Sequence, residues 1–181
     1  MAEALIIVDF QNDFTPGGAL AVPEGDAIGD RVRELAGSGR FDLVVATRDW
    51  HPADHGSFDT SQPPGPWPPH CVAGTPGAEL DDAVPRERVD VIVDKGTDAA
   101  TEGYSGFEGT GLEALLRERD VDRVTIVGLA TDYCVRATAL DALHEGFAVE
   151  VDRAGVRGID AQPGDAERAL GEVESAGARV T

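Results

Sequence analysis

Cationic charge is scarce in this sequence. Its 181 residues include only 15 Lys and Arg against 34 Asp and Glu, which gives a formal net charge of -19 at pH 7. A surface this acidic repels phosphate backbones and anionic lipid headgroups. No segment approaches the roughly 20 apolar residues that a membrane-spanning helix needs. We therefore expect neither nucleic acid nor a membrane as a partner.

Cysteine is scarce as well, because only Cys71 and Cys134 occur. Two cysteines so far apart form neither a CxxC redox pair nor a disulfide framework. The chain also begins without a basic stretch leading into a long apolar run, so no signal peptide is predicted. These absences favour the cytoplasm, where both thiols stay reduced.

What the chain does contain is typical of a folded globular protein, with 41% hydrophobic and 27% charged residues. A chain of this length buries roughly 70% of its unfolded surface. We therefore expect a single domain over residues 1–181.

Apolar, β-branched segments recur along the chain, at residues 4–8, 42–46, 89–93, 123–128 and 147–151. Continuous hydrophobicity is typical of strands that are covered on both faces. Helical patterns lie between them at 27–36, 112–119, 132–145 and 165–175, with a short last strand at 178–181. The alternation predicts a doubly wound, three-layer α/β/α fold with a mostly parallel central sheet.

The stretch from 51 to 77 carries seven of the 11 prolines and little periodicity, which indicates a long loop. Loops of this length inside a compact domain are usually either functional or disordered. This one also holds three of the four histidines, so we favour function and expect a metal-binding loop at about 49–77.

Ionisable residues follow four of the predicted strands. Asp9 follows the first, Asp49 and His51 follow the second, Lys95 follows the third and Cys134 follows the fourth. In open α/β sheets the ligand site lies beyond the carboxyl ends of the strands. Core packing alone does not predict four such residues at one edge, so we expect them to form a site.

Cys134 is the candidate nucleophile. It lies where a predicted strand turns into a helix that Thr131 could cap, so the thiol would occupy the first turn. The helix dipole and free backbone N–H groups favour a thiolate there and can hold a developing oxyanion. The alternative is a buried, inert cysteine, which is the common case for a lone thiol. The neighbouring ionisable residues favour the catalytic interpretation.

Asp9 and Lys95 are its candidate partners. Asp9 ends an apolar strand, so its partly desolvated carboxylate could act as a general base. Lys95 is the only lysine of the chain and could hold that carboxylate ionised. Alternatively, Asp9 is a turn residue and Lys95 a solvated surface residue.

Asp49, His51 and His70 offer one carboxylate and two imidazoles, a set suited to zinc, manganese or iron rather than calcium. His55 is either a fourth ligand or a group that orients the others, and we favour the second role. Phe14 and Trp67 could clamp a flat aromatic substrate, although core packing explains them equally well.

Taken together, these residues resemble the nicotinamidase/pyrazinamidase branch of the isochorismatase-like cysteine hydrolases. The matching motifs are VDFQNDF at 8–14, RDWHP at 48–52, WPPHC at 67–71, DKG at 94–96, YSGF at 104–107 and GLATDYCV at 128–135. They occur in consistent order over roughly residues 4–150, which makes the match specific.

The resemblance implies a role for each of these residues. The catalytic triad would be Asp9, Lys95 and Cys134. The metal ligands would be Asp49, His51 and His70, and His55 matches a histidine that binds metal in some members. The pocket residues would be Phe14, Leu20, Trp67, Tyr104, Leu129 and Tyr133. A non-proline cis peptide at Leu129-Ala130 would direct the N–H groups of Ala130 and Cys134 at the oxyanion.

The function implied is a metal-dependent conversion of nicotinamide to nicotinic acid and ammonia through a thioester, with pyrazinamide as a second substrate. The expected partners are thus one divalent ion and a small aromatic amide, and a homo-oligomer of the chain is left open. Two alternatives stay open: a hydrolase of N-carbamoyl or ureido substrates, and a non-catalytic metal or thiol sensor.

Overall fold

The computed structural model describes residues 2–181 and contains a six-stranded sheet in the order β3-β2-β1-β4-β5-β6. The strands are β1 (Ala2–Val8), β2 (Leu43–Asp49), β3 (Val91–Lys95), β4 (Val121–Leu129), β5 (Ala148–Arg157) and β6 (Arg179–Val180). Every neighbouring pair is parallel. The predicted parallel sheet is therefore confirmed.

Helices cover both faces of this sheet. They are α1 (Gly29–Gly37), α2 (Leu112–Glu118), α3 (Arg136–His144) and α4 (Asp165–Ser175). Alternate residues of β1 enter two hydrophobic clusters, one shared with α2, α3 and α4 and the other with α1. This two-sided burial explains the continuous apolar runs and confirms the three-layer prediction. Within residues 2–181, no helix combines the length and hydropathy needed to cross a membrane.

Two boundaries differ from the sequence pattern. β5 extends to Arg157 because its register against β4 shifts between Ile126 and Gly128, which lets the strand continue past a bulge. The helix predicted at 132–145 is divided into a π-helical turn, Thr131–Val135, and α3. Thr131 begins this turn and caps nothing, because Ala130 is the extended residue before it and no side chain caps the turn. The predicted cap is therefore wrong.

The order of the sheet places a switch point between β1 and β4. From β1 the chain continues to β2 and β3 on one side, whereas β4 leads to β5 and β6 on the other. Connections on the two sides therefore diverge and leave a crevice beyond the carboxyl ends of β1 and β4. Asp9 follows β1 and Cys134 follows β4, so both residues border this crevice.

Close backbone packing between β1 and β4 requires glycine at position 128. Gly128 has φ +122°, and a Cβ there would collide with the backbone of Val8. We expect Gly128→Ala to lower the free energy of unfolding by about 3 kcal/mol or more in urea titrations. Gly171→Ala is the matched control, since that helical position opens to free space and should gain about 0.5 to 1 kcal/mol. Equal stability of the two variants would contradict this account.

Candidate active site

The carboxyl ends of four strands bring the predicted residues together. Asp9, Asp49, Lys95 and Cys134 are all buried, with exposed fractions of 0%, 4%, 1% and 5%. Ionisable groups are rarely buried unless they are paired. The cluster is therefore a built feature of the fold and not a set of surface charges.

Asp9 is oriented by the neighbouring strand. Its backbone has φ +46°, a left-handed conformation that aspartate tolerates better than most residues and that turns the chain away from β1. The Thr47 hydroxyl donates to Asp9 Oδ1 at 2.7 Å, and the Asp9 N–H donates to the Thr47 carbonyl at 3.1 Å. One oxygen of the carboxylate is thus fixed, and the other faces Lys95.

Lys95 lies at the centre of the cluster. Its Nζ is 2.8 Å from Asp9 Oδ2 and 2.5 Å from Asp49 Oδ1, and it donates to the Gly103 carbonyl at 2.6 Å. The same nitrogen is 3.5 Å from Cys134 Sγ. A lysine with these partners is not the solvated surface residue considered as an alternative. Burial alone would lower the pKa of Lys95, but Asp49 and Asp9 raise it well above its usual value.

The two carboxylates respond differently to the same ammonium group. Burial raises the pKa of Asp9 to about 6, against the opposing effect of Lys95. Burial also acts on Asp49, but Lys95 and His51 together hold the pKa of Asp49 well below its usual value. Asp9 can therefore gain and lose a proton near neutral pH, while Asp49 stays ionised.

Cys134 lies in the π-helical turn that follows β4. Burial raises the pKa of its thiol well above the usual value, although Lys95 opposes this shift. The helix dipole at the first turn favours a thiolate, whereas burial of the side chain favours the protonated thiol. A protonated thiol needs a base before it can attack, and Asp9 is the buried carboxylate beside it.

A second cluster shares Asp49. Asp49, His51 and His70 each place one metal-binding atom in this cluster, and the three atoms lie within 4.8 Å of one another. Asp49 Oδ1 faces Lys95, whereas Asp49 Oδ2 is 3.4 Å from His51 Nε2. Mixed oxygen and nitrogen donors in this arrangement fit a divalent transition metal.

The two imidazoles are oriented for such a role by backbone carbonyls. His51 Nδ1 lies 2.8 Å from the Gly96 carbonyl, and His70 Nδ1 lies 2.8 Å from the Pro68 carbonyl. A carbonyl only accepts, so each Nδ1 donates a proton to it, and Nε2 is the nitrogen of each ring that is left to bind a metal ion. Gly96 has φ +60°, and a Cβ there would collide with the His51 ring.

His55 packs against this set. Its side chain is fully buried, and its ring centroid is 4.0 Å from that of His51. His55 Nδ1 is 2.7 Å from Ser57 Oγ, while its Nε2 has no hydrogen-bond partner among the described residues. Burial and the proximity of His51 lower the pKa of His55 to about 4, so the ring is neutral at pH 7.

A small cavity of about 30 Å³ adjoins both clusters. Its lining residues are Phe14, Leu20, Asp49, Trp67, His70, Tyr104, Ala130, Tyr133, Cys134 and Ile159. The Trp67 indole N–H donates to the Tyr104 hydroxyl at 3.0 Å, and the Tyr133 ring centroid lies 5.0 Å from that of Trp67. The cavity is therefore a slot whose lining includes four aromatic residues together with the thiol-bearing Cys134.

Leu129 was predicted to line this cavity, but the structure places it in the core. The alternation of β4 directs Val127 and Leu129 into the hydrophobic cluster shared with α1, where both are fully buried. The bond between Leu129 and Ala130 is cis, as the resemblance implied.

Ile159 is a lining residue that the sequence reasoning missed. It follows the carboxyl end of β5, so the rule applied to the first four strands would have found it had it been applied to the fifth. The Asp132 carboxylate accepts the N–H groups of Ile159 and Asp160 at 2.9 and 2.8 Å. The cysteine-bearing turn therefore holds the Ile159 loop over the cavity.

Comparisons with known proteins agree with this architecture. The nicotinamidase of Escherichia coli is 40% identical over 198 residues, covering 98% of this chain and 93% of that protein. The pyrazinamidase of Pyrococcus horikoshii, whose crystal structure is a complex with zinc, is 52% identical in sequence with a TM-score of 0.89. That match covers 100% of this chain and 99% of the other. PnC1 from L. infantum, solved in complex with nicotinate, is 36% identical with a TM-score of 0.93, and the match covers 99% of this chain and 92% of that one.

A doubly wound sheet with a thiol, a carboxylate and an ammonium group buried beyond its strand ends defines a cysteine hydrolase on a doubly wound α/β fold. The family model described as the isochorismatase domain matches residues 3–181, and the chain belongs to that family.

Replacing the central ammonium group should destabilise the fold in a pH-dependent way. Lys95→Met leaves Asp9 and Asp49 buried without a counter-charge, so we expect the metal-free protein to lose about 3 to 5 kcal/mol of unfolding free energy at pH 8. Lys95 lowers the pKa of both carboxyls, so its removal raises the folded-state pKa of each, and this loss should shrink as the pH falls toward 5. Urea titrations in the presence of a chelator measure the loss. An effect independent of pH would contradict the pairing.

Proposed function

We propose that this chain is a metal-dependent nicotinamidase that converts nicotinamide to nicotinic acid and ammonia and also hydrolyses pyrazinamide. The observation that carries the proposal is the position of the Cys134 thiol, which lies between a buried base and an aromatic slot bordered by a metal-ligand set. The names of the similar proteins, nicotinamidase and pyrazinamidase, support the same substrate class.

In the first half of the reaction, Asp9 removes the proton of the Cys134 thiol and the sulfur attacks the carboxamide carbon. The negative charge that develops on the carbonyl oxygen is accepted by the backbone N–H groups of Ala130 and Cys134. Asp9 then gives its proton to the amide nitrogen, the C–N bond breaks and ammonia leaves. The acyl group remains on sulfur as a thioester.

In the second half, Asp9 takes a proton from water and the resulting hydroxide attacks the thioester carbon. The C–S bond breaks, the sulfur takes its proton back from Asp9 and the acid is released. Lys95 keeps its charge throughout, because its pKa is raised well above the usual value. It stabilises Asp9 as a carboxylate before the two steps in which Asp9 takes a proton.

Asp49, His51 and His70 would hold the divalent ion, with zinc, manganese and iron as the metals that suit these donors. When bound, the ion supplies a Lewis-acidic contact for the ring nitrogen of the substrate and so orients the amide. His55 would orient His51, because the centroids of the two rings are only 4.0 Å apart. A neutral imidazole at each ligand position is the form that binds metal.

The aromatic lining of the slot supports a flat, one-ring substrate. Phe14 and Trp67 lie on its walls, and Leu20, Tyr104 and Tyr133 complete the lining on which the ring would rest. Nicotinamide and pyrazinamide are both single aromatic rings that carry one carboxamide. The chain works on them in the cytoplasm, because both of its cysteines are free thiols.

Ammonia release from nicotinamide by the purified protein tests this proposal. We expect release by the metal-loaded protein, loss of release after metal stripping and recovery on adding metal back. Cys134→Ala should abolish turnover with unchanged metal content, whereas Cys71→Ala, which removes the other buried thiol, should keep turnover. Absence of release by the metal-loaded wild type, or turnover by Cys134→Ala, would overturn the proposal.

The pH profile tests the role of Asp9 separately. Because the carboxylate must be ionised to take the thiol proton and its pKa is raised to about 6, kcat/KM should fall about tenfold per pH unit below pH 6. Bound metal is measured at each pH, so that loss of the ion is not mistaken for protonation of Asp9. A kcat/KM that stays level down to pH 5 with metal still bound would exclude Asp9 as the base.

A further inference from the structure

The backbone of Asp49 lies beyond the last paired residue of β1. The ladder between β1 and β2 ends at Val8 and Thr47, because Asp9 turns the chain away from the sheet. The N–H of Trp50 donates to the Lys95 carbonyl of β3 at 2.9 Å. Because successive residues of a strand direct their backbone groups to opposite sides, the N–H and C=O of Asp49 point to the other side, which β1 has vacated. Two buried backbone groups next to the metal-ligand set thus need partners from elsewhere.

The side chain of Gln11 supplies both partners. Gln11 Oε1 accepts the Asp49 N–H at 2.9 Å, and Gln11 Nε2 donates to the Asp49 carbonyl at 2.8 Å. The same Nε2 also donates to the Ala78 carbonyl at 2.8 Å. Gln11 is fully buried, and its amide takes the place of the peptide group that β1 no longer offers.

Asp13, two residues after Gln11, holds the segment that carries His70, another of the metal ligands. Its Oδ2 accepts the N–H of Cys71 at 2.7 Å, and its Oδ1 accepts the N–H of Ala19 at 3.1 Å. Cys71 follows His70 directly and has φ +46°, a conformation that needs support from its surroundings. The Cys71 carbonyl in turn accepts the His51 N–H at 3.0 Å.

We propose that Gln11 and Asp13 are positioning residues of the metal site and that they set its affinity for the ion. Gln11 fixes the backbone of Asp49, and Asp13 fixes the backbone that joins His70 to His51. Neither side chain belongs to the three-residue ligand set. The inference rests on the proposed function, because it takes the metal of that reaction to be held by this set.

The charge and burial of these contacts make them effective. Both backbone groups of Asp49 are buried, so removing the Gln11 amide leaves a donor and an acceptor without partners and allows Asp49 to shift. Partners that orient metal ligands typically change metal affinity by about 10- to 100-fold when they are removed. We expect an effect of this size from a residue that never touches the ion.

Equilibrium Zn²⁺ affinity, measured by competition with a chromophoric chelator, tests the proposal. Gln11→Met keeps most of the side-chain volume but can make none of the three hydrogen bonds, and Asp13→Ala removes the acceptor of the Cys71 N–H. Each should bind Zn²⁺ about 10- to 100-fold more weakly than the wild type. Ammonia release by Gln11→Met should recover in excess Zn²⁺, because the residue positions a ligand and takes no part in the chemistry.

Asn12→Ala is the matched control. Asn12 lies between the two positioning residues, but its side chain donates to the Pro76 carbonyl at 2.8 Å. That hydrogen bond holds none of the three metal ligands. It should keep wild-type Zn²⁺ affinity. Alkylation of Cys71, which is fully buried, reports loss of the fold in Gln11→Met and Asn12→Ala. In Asp13→Ala, which removes the acceptor of the Cys71 N–H itself, urea titration reports it instead.

The outcomes separate this inference from the proposed function. A wild type that binds no Zn²⁺ would overturn the metal site itself. A wild type that binds Zn²⁺ together with a Gln11→Met variant of equal affinity would overturn the positioning role alone. Weaker binding accompanied by alkylation of Cys71 would also overturn it, because Gln11 would then support the whole fold. Weaker Zn²⁺ binding by a Gln11→Met variant whose Cys71 resists alkylation would establish the positioning role.

Discussion

The site depends on one buried ammonium group placed between two carboxylates. Nζ of Lys95 contacts Asp9 on one side and Asp49 on the other, with all three side chains withdrawn from water. Burying any of these charges alone would be strongly unfavourable, but the trio leaves each with an opposite neighbour. The strands can therefore be apolar along their length and still end in charged residues. The base and the metal-ligand set are adjacent because they share this cation.

The placement of these residues follows from a general property of parallel sheets. Strand ends that carry ionisable residues meet at one edge, so the sequence was sufficient to predict which strands contribute Asp9, Asp49, Lys95 and Cys134. Continuous apolar runs were sufficient to predict the layers, because two-sided burial removes the alternation that a half-exposed strand would show. Both predictions needed only local patterns and one rule of topology.

What the sequence could not supply are properties set by contacts between distant segments. The protonation of Cys134 depends on how completely the folded chain excludes water, and the first turn of a helix would suggest the opposite shift. The role of Gln11 arises because β1 turns away before β2 ends, which no local pattern reveals. Leu129 was misplaced because the alternation within β4 decides which face it occupies. Motif matching identifies such positions without saying what they contact.

Asp49 gives one of its oxygens to each half of the site, with Oδ1 toward Lys95 and Oδ2 toward His51. This division makes the position pleiotropic. A substitution there disturbs ion binding and the charge balance of the thiol cluster together, so neither can drift independently of the other during evolution. Removal of the metal would leave His51 and His70 without a ligand role, whereas Asp49 would still face the ammonium group of Lys95. Selection for ion binding and selection for the charge balance of the thiol cluster thus act on the same side chain.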